Sequence, residues 1–107
     1  MDDVDKMKIL EELGDLPEEM YDELVADYVS LMKGKIGELQ ELLDRKDYDE
    51  FGNLAHFIKG ASVNLRLPGP QEHARILEFN SRHRSDLEQL QPQIENLKRE
   101  LYKLESV

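Results

Sequence analysis

The sequence predicts an all-α protein: an up-down antiparallel four-helix bundle with a short extra N-terminal helix, forming one domain over residues 1–107. Three observations carry this. Leu, Glu, Asp and Lys dominate a chain that is 39% hydrophobic and 36% charged, and no convincing alternating β runs interrupt it. Apolar residues recur at spacings of three and four. Turn signals divide the chain into four main helical stretches joined by short connections, which favour antiparallel neighbours.

The first, short helix is expected over Val4 to Leu13, with Met7, Ile9, Leu10 and Leu13 apolar and Gly14 as its stop. Asp15-Leu16-Pro17-Glu18-Glu19 reads as a helix start: a capping acid, a proline in the first turn and carboxylates near the positive end of the dipole. The helix that follows runs to Arg45 on a stripe of Met20, Leu24, Tyr28, Leu31, Met32, Ile36, Leu39, Leu42 and Leu43, and Gly34 and Gly37 leave open a break in its middle. Lys46-Asp47 turns the chain into a third helix, ending near Leu67 before Pro68-Gly69-Pro70. A shorter helix is expected from Pro70 to Arg82, with Ala74, Ile76, Leu77 and Phe79 apolar. In the last, Leu87, Leu90, Ile94, Leu97, Leu101 and Leu104 recur, and Pro92 starts or kinks the regular part.

Composition narrows the function. A net charge of −10 disfavours nucleic acid, and the basic run Arg82-His83-Arg84 is short. No apolar run approaches the roughly 18 residues of a membrane span, and the opening Met-Asp-Asp-Val-Asp is unlike a signal peptide. A chain without cysteine has no disulfide or thiol chemistry and fits the cytoplasm.

The most informative stretch is Leu54-Ala-His-Phe-Ile-Lys-Gly-Ala-Ser-Val-Asn-Leu65. Wound as a helix, Phe51, Leu54, Ile58, Ala61 and Leu65 gather on one side, while Gly52, Lys59, Gly60 and Val63 fall within roughly 60° of His56 on the other. Each mid-helix glycine costs about 1 kcal/mol against alanine, so two around one imidazole call for a reason. Access for another macromolecule is one reason. For Gly52 a packing contact with a neighbouring helix is the alternative. An exposed imidazole is nucleophilic near neutral pH, and Lys59 one turn on offers a cation to the oxygens of a captured phosphoryl group.

At these residues the chain resembles the histidine-containing phosphotransfer (HPt) domain family, whose motif runs His-x-hydrophobic-Lys-Gly-small-small. Here it stands as His56-Phe57-Ile58-Lys59-Gly60-Ala61-Ser62. The likeness extends through Asp49-Glu50-Phe51-Gly52-Asn53-Leu54-Ala55 and to the helix ending Leu42-Leu43-Asp44. The resemblance implies a four-helix bundle that is a phosphoryl carrier rather than a turnover enzyme. His56 would take a phosphoryl group from a receiver-domain aspartyl phosphate and pass it to another receiver aspartate, with Lys59 balancing charge and Gly60 leaving room. Phe57 and Val63, with Gly52, would ring the partner surface. The implied partners are response-regulator receivers and a sensor or hybrid histidine kinase. No cofactor or metal site is expected on this chain, magnesium belonging to the receiver, and a monomer is expected. Where the family usually has glycine this chain has Arg66, and Pro68-Gly69-Pro70 suggests a remodelled turn. An ungapped count puts Glu78 where a polar residue often faces the histidine.

Other readings remain beside it. His73 and His83 lack a comparable setting and have no ligand spacing with other side chains, which disfavours zinc or di-iron chemistry. Ser62 lies toward the buried side, suited to packing or back-bonding. The leucines from Leu87 to Leu104 match a coiled-coil seam, though Pro92 favours an intramolecular stripe. The alternative function is a phosphorylation-independent helical interaction module for a kinase or regulator.

Overall fold

A computed structural model describes residues 3–105, with side chains from residue 5 onward; the opening Met1-Asp2 and the final two residues lie outside it. The elements are α1 (Asp3–Glu12), α2 (Glu18–Asp44), α3 (Tyr48–Asn64), α4 (Pro68–His83), a 3₁₀ turn at Leu87–Gln89 and α5 (Leu90–Glu105). Helices α2 to α5 pack as a ring in which each touches the next and α5 closes on α2. This is the all-α bundle with an N-terminal extra helix. Its 42 × 21 × 19 Å outline is set by α2, whose 27 residues run unbroken through Gly34 and Gly37.

The core is one cluster: Met32 and Leu39 from α2, Phe51 and Ile58 from α3, Ala74 and Leu77 from α4, and Leu90, Ile94 and Leu97 from α5 have no exposed surface. The leucines of α5 therefore serve the molecule's own interior. Leu90 opens the helix and Pro92 sits in its first turn, where a missing N–H costs nothing.

The phase of α2 differs from the sequence expectation in its first half. Met20, Leu24 and Leu31 are 52%, 44% and 49% exposed; Tyr28 faces inward as expected, and Tyr21 and Val29 join it there. The tyrosines do so because their hydroxyls find partners. Tyr21 donates to the Leu65 carbonyl at 2.8 Å, at the C-terminal end of α3. Ser62 back-bonds to the Ile58 carbonyl at 2.7 Å and so accepts from Tyr28, 2.6 Å away, inside the bundle.

Three helices end in the same way. Asp47 N–H bonds to Leu42 O (2.9 Å), Leu67 N–H to Ser62 O (2.9 Å) and Ser85 N–H to Asn80 O (3.0 Å), each around one left-handed residue: Lys46 (φ 59°), Arg66 (φ 58°) and Arg84 (φ 51°). Basic residues thus stand where glycine is usual. Their charge suits the negative helix end and offsets part of the backbone strain. Asp47 then caps α3, accepting from Glu50 N–H at 3.3 Å. Pro68-Gly69-Pro70 proves to be the first turn of α4, with proline at its start, and Asn64 ends α3 earlier than expected. Asp15, expected to cap α2, instead adopts φ 58°, and Pro17 takes the cap position without a side-chain bond.

Candidate functional site

The site lies where α3 and α4 run side by side. α3 buries Phe51, Ala55, Ile58 and Ser62, and that same phase turns His56 outward, with its side chain 62% exposed. From α4, Glu78 reaches beneath the ring with only 13% of its side chain exposed. Its carboxylate gathers three groups: Lys59 Nζ on Oε1 at 2.7 Å, and His56 Nδ1 at 3.0 Å and Arg82 Nε at 2.9 Å, both on Oε2.

The electrostatics decide the protonation. Burial pushes the Glu78 carboxyl up, but the bonds from Lys59 and Arg82, helped by the charges of Lys59 and His56, outweigh it and hold the group below the usual carboxylate range. An ionised carboxylate only accepts, so Nδ1 of His56 carries the proton. In the neutral ring the lone pair is then on Nε2, at the far side of the imidazole from Glu78.

The residues singled out from sequence divide in two. Lys59 and Gly60 lie beside His56. Lys59, however, is paired to Glu78 rather than lying free beside the ring. Gly60 is exposed, and a methyl group there would meet nothing within 4 Å. Val63 is 39% exposed, and Phe57 is 49% exposed toward α2, with Lys35 Nζ 5.5 Å from the centre of its ring. Gly52 is corrected. It is buried, and a methyl group there would lie 3.1 Å from Arg82 Cγ and 3.2 Å from Ser81 Oγ. Its bare backbone serves the α3–α4 packing and is not part of a surface open to a partner.

Sequence reasoning missed Arg82 and Asn53, which meet at 3.4 Å across the two helices. The available signal was the four-residue spacing from Glu78 to Arg82, which puts opposite charges on one helical ridge. His73 is held by Gln93 (Nδ1 to Oε1, 2.9 Å) and the His83 ring lies on Phe79 with centroids 4.3 Å apart, both apart from this cluster. Among the described residues no group of three or more His, Cys, Asp or Glu side chains is arranged to hold a metal ion, and no helix is long and apolar enough to cross a membrane.

Fold and site together define a class: a helical bundle that presents one histidine, backed by a carboxylate and cations, on its outer surface. The chain matches the family model of the Hpt domain over residues 23–106 and belongs to that family. Hpt domains are carrier modules of histidine phosphotransfer in two-component phosphorelays, where they meet receiver domains and histidine kinases. Neither the curated proteins nor the solved structures yield a match to this chain.

Proposed function

We propose that His56 is the phosphoacceptor, taking a phosphoryl group from the aspartyl phosphate of one receiver domain and giving it to the aspartate of another. The observation that carries this reading is the Nδ1–Glu78 contact on an imidazole whose side chain is 62% exposed. Nε2 supplies the electron pair for the new N–P bond. The P–O bond to the receiver aspartate breaks, and its carboxylate leaves with the electrons. The ring, now substituted at Nε2 and still protonated at Nδ1, carries positive charge, and Glu78 faces that charge. Lys59 moves from Glu78 to the phosphoryl oxygens. The reverse sequence delivers the group to the second receiver.

The docking face in this reading is the outer side of α3. Gly60 leaves the backbone bare one turn from the histidine, and the exposed atoms of Phe57 and Val63 flank it. A cytoplasmic monomer is the setting that suits this exchange.

Incubation with phosphorylated receiver domains, followed by mapping of acid-labile, base-stable phosphate, is the direct test. Label is expected on His56, and His56→Ala is expected to lose it while keeping its helical circular dichroism. Label retained by that variant overturns the assignment. Binding of a receiver or kinase with no phosphate on the wild-type protein points instead to an interaction module.

A further inference from the structure

The proposed transfer asks Lys59 to leave Glu78, and the second cation on that carboxylate is what makes this departure tolerable. If Lys59 alone neutralised Glu78, its movement would leave an unpaired, largely covered carboxylate next to an incoming phosphoryl dianion. Like charges at that separation oppose each other, and the lysine would be held back. Arg82 lies on the same helix as Glu78, one turn on, and its Nε sits 2.9 Å from the oxygen that also accepts from His56. Nothing in the transfer requires that bond to break.

The seat of Arg82 is built. Its stem crosses α3 at Gly52, where an added methyl group would come within 3.1 Å of Cγ, and its Nη1 reaches Asn53 Oδ1 at 3.4 Å. A planar guanidinium can engage Oε2 and Asn53 at once from a fixed stem, which an ammonium does less well. Glu78 of α4 bonds the ring, and the charged groups gathered on that carboxylate among the described residues are Lys59 from α3 and Arg82 from α4. On this basis, and resting on His56 as phosphoacceptor, we infer that Arg82, seated over Gly52, is a positioning residue that keeps Glu78 on Nδ1 of His56 and frees Lys59 for the phosphoryl group.

An ordinary surface ion pair at this spacing would add little to stability and would not touch the imidazole, so the test reads the ring itself. In ¹⁵N spectra at mildly alkaline pH the wild-type His56 ring is expected as the Nδ1–H tautomer. Arg82→Gln is expected to give a mixture of tautomers and to slow uptake from a phosphorylated receiver on the order of tenfold, the lower end of what losing an outer partner costs a metal-bound histidine. Arg82→Lys is expected to recover part of both. Gly52→Ala retains every charge but displaces the arginine stem, so it is expected to fall between wild type and Arg82→Gln. Lys59→Gln is expected to cost less in the Arg82→Gln background than in the wild type, because there Lys59 is already retained by Glu78. A folded Arg82→Gln variant with a wild-type ring spectrum, or strict additivity with Lys59→Gln, overturns the inference. The spectra need no phosphate, so failure of His56 to take up phosphoryl groups at all would be seen separately from failure of Arg82 to orient Glu78.

Discussion

At the scale of single residues, the site rests on a carboxylate that keeps company with more positive charge than it can fully engage. Lys59, 2.7 Å from Glu78 and 31% exposed, is near enough to stay paired at rest and exposed enough to swing away on its flexible stem. Lys59→Ala is expected to slow phosphoryl uptake by roughly a hundredfold, the smaller figure for losing one donor to a developing anion, and to shorten the life of the phosphohistidine, measured by single-turnover labelling and by decay of the isolated adduct. Gly60→Gln is expected to slow transfer from a receiver domain while leaving reaction with a small donor such as acetyl phosphate unchanged, since only the protein partner meets the added bulk. Equal loss with both donors would place Gly60 in the chemistry. His56, Lys59 and Gly60 were legible because they lie on one continuous helix, where spacing alone gives the face. Gly52 was misassigned for the complementary reason: a helical wheel gives angles but not which of them a neighbouring helix covers. Arg82 was missed because its role exists only once α4 is laid against α3.

Among the elements, the turns carry most of what the sequence concealed. No glycine marks the ends of α2, α3 or α4, and Lys46, Arg66 and Arg84 adopt left-handed backbone in its place. Arg66 also donates to the carbonyls of Val63 and Asn64 and pairs with Glu12 at 3.2 Å, tying α1 to the α3–α4 turn. Arg66→Gly is therefore expected to relieve about 1 kcal/mol of backbone strain and to give up a surface tie of about the same size. Global stability in urea should change by less than about 1 kcal/mol, while amide exchange in α1 quickens. The phase of α2 was only half legible. Its C-terminal half has one apolar stripe, whereas its first half offers two at helical spacing that share Tyr28, Met20-Leu24-Tyr28-Leu31 and Tyr21-Val25-Tyr28. The choice falls to the second because Leu65 and Ser62 of the next helical segment satisfy the tyrosine hydroxyls.

For the whole molecule, those tyrosines set an alkaline limit. Burial raises the pKa of Tyr21 and Tyr28 above the ordinary value of 10.0, only partly offset by Lys6 and by Ser62 respectively. A group whose folded pKa is raised contributes stability that is complete below the unfolded value and lost as pH rises through the folded one. The melting temperature is accordingly expected to fall above about pH 10, and Tyr28→Phe to blunt that fall while costing about 1 kcal/mol at neutral pH through the lost hydrogen bond. An alkaline melting profile identical in Tyr28→Phe would remove Tyr28 from this account. The architecture was readable from periodicity and punctuation together, because four stripes with short joints have few ways to hide their apolar faces. Asn53, His56, Lys59, Glu78 and Arg82 share one helical hairpin, closed by the turn at Arg66. Loop closure over so short a span is cheap, so in the order of folding events the cluster can form before α5 closes on α2.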